Sequence, residues 1–428
     1  MTAAPASRRQ TFVALAPVYL SVFLFVAGGS ALQVLVPLQL AHGAGLRPAE
    51  VGTVVALYGA AALVARLPAG MAFSRRRGRG FVLAGGAASA AAFALFPLAH
   101  GPVALGALMA LNGLGWSIAT TAQLALLVAQ PPAGVSTAAA MGWFSGATGL
   151  GNAAAGVIGG ACADLVGLDA TFYVLAATPL FGALLMARAV GASAHLDARA
   201  GAGAGARRDL GDRARGDRAH GRAGRLRGAL RGMPLALWVG MLVMFYINAL
   251  NAITNTFHPL LALGAGLSLT QIGALSSIRS WASSSSRFGS GPLFSRVDPA
   301  GLTMPLVIAG TVATAMIPTV VGSFVLSIPL FVLAGLSRGL LRVTASAEAF
   351  DTVGDSESGH GVTAALLYSG LDVGKLLGPI IGGVVAGAFG IAAMLRVVPV
   401  ALLVLYLALA LPARARQDRA VTATAAPR

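Results

Sequence analysis

Long apolar runs recur along the chain, each near or above the roughly 20 residues that carry a helix across a bilayer, and short breaks rich in Gly, Pro and charge separate them. Twelve are predicted, at 12–40, 50–73, 81–99, 102–129, 137–161, 170–190, 234–262, 270–294, 302–321, 324–348, 361–388 and 391–411. Runs of this length satisfy their backbone in lipid only as helices, and strands are excluded by segment length. The first run exceeds a signal-peptide core and more spans follow it, so it reads as a retained helix. The expected fold class is an all-α integral membrane protein.

Composition agrees: 57% of residues are hydrophobic and only 10% charged, where a soluble domain carries about a quarter charged. The basic residues place the ends. With the N-terminus inside, Arg8, Arg9, the Arg75-Arg76-Arg77-Gly78-Arg79 cluster, Arg296, Arg414, Arg416 and Arg419 all fall in inner segments, and Arg47 is the clear exception. Both termini are therefore expected in the cytoplasm. The net charge of +16 sits mostly in the inner segments and the central loop, which explains it without a nucleic-acid partner. The stretch 191–232, rich in Gly, Ala and Arg, reads as a cytoplasmic linker near anionic lipid, between six-helix halves at 1–190 and 233–428. The single cysteine, Cys162, excludes an intrachain disulfide and a cysteine metal cluster. Arg-dominated basic residues, with Lys375 the lone lysine, suggest a GC-rich bacterial genome and hence a bacterial inner membrane.

The halves repeat. Gly45-Leu46, Gly52, Arg66, Gly70, Ser74 and Arg75 correspond to Gly266-Leu267, Gly273, Arg287, Gly291, Ser295 and Arg296, and Gly151, Gly156, Gly159 and Gly160 correspond in near-register to Gly374, Gly378, Pro379, Gly382 and Gly383. A duplicated membrane domain places a shared site at the interface of its halves, near the bilayer midplane. Glycines spaced by four let helices approach closely, and proline bends a helix where a gate could hinge; packing alone is the other reading.

At these residues, and across essentially the whole chain, the sequence resembles the major facilitator superfamily. Arg66-Leu67-Pro68-Ala69-Gly70 with Ser74-Arg75 and Gly78-Arg79 looks like that family's signature between helices two and three, although Ser74 and Ser295 stand where the family has an acid. The fifth span resembles the signature associated with antiporting exporters, with Ala155-Gly156 replacing its Gly-Pro pair; the eleventh carries Gly374, Gly378-Pro379 and Gly382-Gly383 intact. Met109 and Asn112-Gly113-Leu114-Gly115 occupy the place where many proton antiporters of the family have an arginine ahead of a glycine pair. The resemblance implies twelve transmembrane helices in two pseudo-symmetric six-helix halves, working by alternating access.

Ionisable side chains deep in a bilayer cost roughly 3 kcal/mol or more each, so they mark candidate sites. Asp372 is the candidate for coupling to H+, or it simply pairs with Lys375 one turn on. Arg279, with Trp281 and Ser283 to Ser286, could bind an anionic or zwitterionic solute, or pair with Asp372. Arg342 is the better cavity candidate on the tenth span, which also carries Arg338 and Glu348. Asn248, Asn251, Asn255 and His258 share one face of the seventh span and suit a cavity wall or interhelical hydrogen bonding. His258 reads as a solvated histidine near the outer end. Gln33 with Ser30, Asn112 with Gln123, and the aromatic walls Trp116 and Trp143 complete the expected cavity. Arg66, Gly70, Ser74, Arg75, Arg287, Gly291, Arg296, Gly374, Gly378 and Pro379 are expected to serve gating and packing.

No phosphate loop, H-E-x-x-H or nucleophile elbow occurs, so ATP drive and enzymatic hydrolysis are not expected, nor is a cofactor or metal. The expected function is secondary active export of a small organic molecule, a drug or metabolite, driven by protons, by a monomer. Alternatives are an importer or facilitator for a sugar, amino acid or organic anion, and a transporter-like sensor that binds without turnover.

Overall fold

The computed structural model describes residues 8–129, 137–200, 235–288, 294, 297, 299–351 and 357–425. Among them lie twelve α-helices: α1 (Arg8–Leu38), α2 (Pro48–Ala72), α3 (Arg75–Leu95), α4 (Gly101–Ala129), α5 (Thr137–Val166), α6 (Leu168–Ala200), α7 (Leu235–Gly264), α8 (Leu269–Phe288), α9 (Pro299–Val320), α10 (Phe324–Asp351), α11 (Glu357–Phe389) and α12 (Ile391–Ala425). A π turn, Gln39–Gly43, extends α1, and a 3-10 turn, Phe96–Leu98, follows α3.

Eleven helices are long and apolar enough to cross a bilayer; α8, expected as a span to residue 294, is the exception. Its sequence explains the shortfall, because Arg279, Ser283 to Ser286 and Arg287 crowd its second half. Those groups are tolerable only where they face protein or a wet interior. α6 runs on to Ala200, into the stretch expected as linker, and 201–232 of that stretch lie outside the described residues.

Helices α1 to α6 pack on one another, as do α7 to α12, and contact between the two sets runs mainly through α1, α2 and α5 against α7, α8 and α11. Large aromatic residues fill the core: Phe25, Phe93, Phe96, Phe172, Tyr246, Phe257, Phe331 and Tyr406 are all buried, with Phe96 and Phe172 stacked at 5.1 Å. The outer surface is apolar instead of charged, with Val64, Leu98, Val103, Leu165, Val325 and Val384 all strongly exposed. A surface of that kind requires a hydrocarbon solvent.

The two ends differ. One, called here the basic end, carries the α2–α3 turn, where Ser74 is the N-cap of α3 and its Oγ accepts from Arg77 N at 3.4 Å. A serine in that role is a favoured cap, which accounts locally for a hydroxyl where the family has an acid. At the opposite end the turns are tight. Gly45 and its repeat counterpart Gly266 turn the chain with φ of 67° and 90°, in a left-handed region that side chains rarely adopt.

Candidate functional site: a cationic cavity between the halves

A cavity of about 240 Å³ lies where α1, α2, α4 and α5 meet α7, α8, α10 and α11. It shares Asn152, Ser280, Arg338 and Arg342 with a vestibule of about 420 Å³ that continues towards the basic end between α5, α8 and α10. Five basic side chains line the cavity, Arg66, Arg279, Arg338, Arg342 and Lys375, against one carboxylate, Asp372.

Asp372 is buried and forms an ion pair with Arg66 Nη1 at 3.4 Å. The partner comes from the other half of the bundle, not from Lys375 on the same helix or from Arg279. Lys375 Nζ instead stands 5.8 Å from the Tyr58 ring centroid. Arg279 is only 5% exposed, donates from Nη2 to Asn255 Oδ1, and lies 5.8 Å from the Phe331 centroid. Its Nε has no hydrogen-bond partner among the described residues. Asn248 Nδ2 donates to Leu371 O at 2.6 Å and ties α7 to α11, whereas Asn251 Oδ1 is buried without a partner. Ser30 Oγ donates to Asn152 Oδ1 at 2.8 Å, and Trp116 packs on Phe25 with centroids 5.0 Å apart.

The end opposite the vestibule is shut by two helix crossings. On α2 and α11, a Cβ added to Gly52 would collide with the Pro379 carbonyl, and one on Gly383 with that of Pro48. On α5 and α8, Gly156 and Gly273 meet backbone to backbone, and Gly160 meets the Leu269 carbonyl. Gly52 and Gly273 are repeat counterparts, as are Gly156 and Pro379, and Gly160 and Gly383. The two crossings are thus one contact made twice.

Asp164 adds a link at the second crossing, accepting from Leu269 N at 3.2 Å, Thr270 N at 2.8 Å and Thr270 Oγ1 at 2.6 Å. A carboxylate of one half therefore caps a helix of the other. The corresponding place on α11 holds Gly387, against Ala49; there α2 begins at Pro48, and Arg47 N donates to Glu50 within the same helix end.

Of the residues expected in the cavity, Gln33, Trp116, Asn248, Asn251, Asn255, Arg279, Arg342 and Asp372 line it. Trp281 does not: it is 61% exposed, because two residues along a helix turn it about 200° away from Arg279. Asn112 is buried outside the cavity lining, its Oδ1 unpartnered, beside Gly113 where α4 meets Tyr58 of α2. His258 is not solvated but buried, its ring edge-on to Phe331 at 4.7 Å. Arg66, expected near the basic end of α2, lines the cavity, whereas Arg287 faces the vestibule and donates to Ser283 O and Ser284 Oγ. Gly374 and Gly378 pack on the backbone of Phe245 and Ala249 of α7. Gly291 and Arg296 lie outside the described residues, and of Gly70, Arg75 and Trp143 only the places on α2, α3 and α5 are described.

Asn152, Ser276 and Ser280 also line the cavity and were not anticipated. An amide midway along α5, amid mostly small residues, was the available signal for Asn152.

A bundle of paired six-helix sets around a polar interior, apolar outside and shut at one end by pseudo-symmetric crossings, has the architecture of a membrane transporter. Residues 18–371 match the Major Facilitator Superfamily, and the chain belongs to that family. No curated protein matches it in sequence. Among solved structures it is similar to a bacterial homologue of the human lysosomal transporter Spinster, in inward-facing unoccupied (TM-score 0.72, 15% identity, 95% of this chain and 98% of that one) and occupied (0.71, 16%, 96% and 97%) conformations. It is also similar to the nucleoside transporter NupG (0.66, 17%, 93% and 98%). At these identities the likeness establishes the fold. Family and fold mark a multi-pass membrane transporter.

Proposed function

We propose that the chain is a secondary active exporter of a small organic molecule, working as a monomer in a bacterial inner membrane with both termini and the basic end in the cytoplasm. The supporting observation is the cavity itself, which leads to one end and is closed at the other by the crossings of α2 with α11 and α5 with α8. Rocking the halves at 1–190 and 233–428 about the cavity, with 191–232 joining them, would part those crossings and close the vestibule. Asp372 is the coupling group in this reading. Protonation would cancel its attraction for Arg66, and that pair spans the two halves. The export direction rests on the resemblance of the α5 glycine series to the signature of antiporting exporters, a series that here packs at the α5–α8 crossing.

Paired spin labels in liposomes test the reading, after Cys162→Ser. One pair, at Ser145 and Ser284, reports on the vestibule; the other, at Val166 and Ser268, on the opposite end. Alternating access requires two populations in which one distance lengthens as the other shortens. Distances that stay single and fixed under a proton gradient in either direction would leave a binding protein without turnover.

A further inference from the structure

The charges around the cavity are unevenly placed. The single lining carboxylate, Asp372, is already engaged by Arg66. Arg279, Arg338 and Arg342 lie together on α8 and α10, and the charges that act on Arg338 are those of Arg279, Arg342 and Arg287. Arg338 has no hydrogen-bond or ion-pair partner among the described residues. Like charges gathered at one cavity in a bundle interior are costly, and an anion entering that cavity offsets the cost.

Their geometry suits that role. Arg338 and Arg342 are one turn apart on α10 and both line the cavity, so the two guanidinium groups project from one face of the helix. Arg279 is held by Asn255 and Phe331, with its buried Nε still unpartnered. The wall contributed by α1, α4 and α5 is uncharged, formed by Ser30, Gln33, Trp116 and Asn152. A cationic solute would meet like charge, and a wholly apolar one would leave these donors without acceptors.

We infer that the solute is a small organic anion whose carboxylate or phosphoryl group is held by Arg279, Arg338 and Arg342, with its uncharged body against Gln33, Trp116 and Asn152. This inference rests on the transporter reading above and names the chemistry of the same site.

The test compares matched probes on the purified full-length protein at constant ionic strength in chloride: benzoate with benzamide, succinate with succinamide, and glycerol 3-phosphate with glycerol. The inference expects at least one anion to raise the unfolding temperature saturably and to show trans-stimulated exchange in liposomes, while its neutral counterpart does neither. The responding pair distinguishes carboxylate from phosphoryl. Arg338→Gln should weaken that binding at least ten-fold, and Arg338→Lys, which keeps charge but loses the fork, should weaken it less.

Silence from all three anions, a response shared by the neutral partners, or preferential stabilisation by tetraphenylphosphonium would overturn the inference. So would a folded Arg338→Gln with unchanged anion binding; if that variant does not fold, Arg342→Gln carries the same expectation. Any of these results beside label distances that still alternate removes the anion and leaves the transporter standing. Fixed distances remove the transporter itself.

Discussion

Asp372 illustrates what one residue can and cannot reveal before a structure. Its burial in a bilayer span made it a candidate, and spacing along the helix offered Lys375 as partner. Periodicity identifies a face but not the helix opposite, and the partner proves to be Arg66, from the other half. The pair lies at a cavity wall, with the Arg66 side chain 40% exposed. Its loss should therefore cost about 1 kcal/mol, not the 3–5 kcal/mol of a fully buried pair. Asp372→Asn is expected to lower the unfolding temperature slightly, abolish accumulation driven by a pH gradient, and spare solute exchange. The double variant with Arg66→Gln should regain part of the stability without regaining coupling. Thermal unfolding and liposome flux check both, and full gradient-driven flux in Asp372→Asn would refute its coupling role. Trp281 failed for a related reason: adjacency in sequence to Arg279 places it on nearly the opposite side of α8.

At the scale of elements, the two glycine series become one device. Gly52 on α2 and Gly273 on α8 matched as repeats in sequence, as did the series on α5 and α11, but the repeat alone could not say that α2 would cross α11 and α5 would cross α8. Close approach leaves no room for a side chain. Gly273→Leu should hold the α5–α8 crossing apart and lengthen the Val166 to Ser268 label distance, with the protein still folded if the other crossing suffices.

The crossings differ in one respect, since Asp164 caps α8 from the opposite half while α2 begins with its own Pro48 and Glu50. Removing a helix cap costs about 1 kcal/mol, so Asp164→Ala should shift the ratio of closed to open at that end about five-fold towards open. The same label pair reads this shift; an unchanged distribution would mean that water replaces the carboxylate without cost. Nothing in α5 alone marked Asp164, because its significance depends on where α8 starts. The polar stripe of α7 was more legible. Asn248, Asn251 and Asn255 stand at the cavity, Asn248 also tying α7 to α11, so the spacing left wall and interhelical bond both open, and His258, one turn further, lies in the aromatic core instead.

For the whole molecule, helix number and the repeated glycine contacts could be read from run lengths and glycine matches, since lipid leaves the backbone few options. Which end stands closed could not, because that depends on contacts between halves far apart in sequence. The charge of the solute has a consequence at this scale. If the protein carries a univalent anion outward and returns one proton inward through Asp372, each cycle moves two positive charges into the cell. A membrane potential acts with about 2.3 kcal/mol per charge per 100 mV, so an inside-negative potential of about 100 mV multiplies the attainable gradient by about fifty for each charge moved. Potassium diffusion potentials in liposomes with the basic end inside should therefore drive a univalent responder such as benzoate outward with a dependence equivalent to two charges, and a divalent one with a dependence equivalent to three. In Asp372→Asn the proton no longer returns, and the dependence should fall by one charge while transport persists. A wild-type gradient indifferent to potential would indicate that anion and proton leave together, in which case Asp372 would be loaded on the same side as the solute and the antiport assignment would be lost.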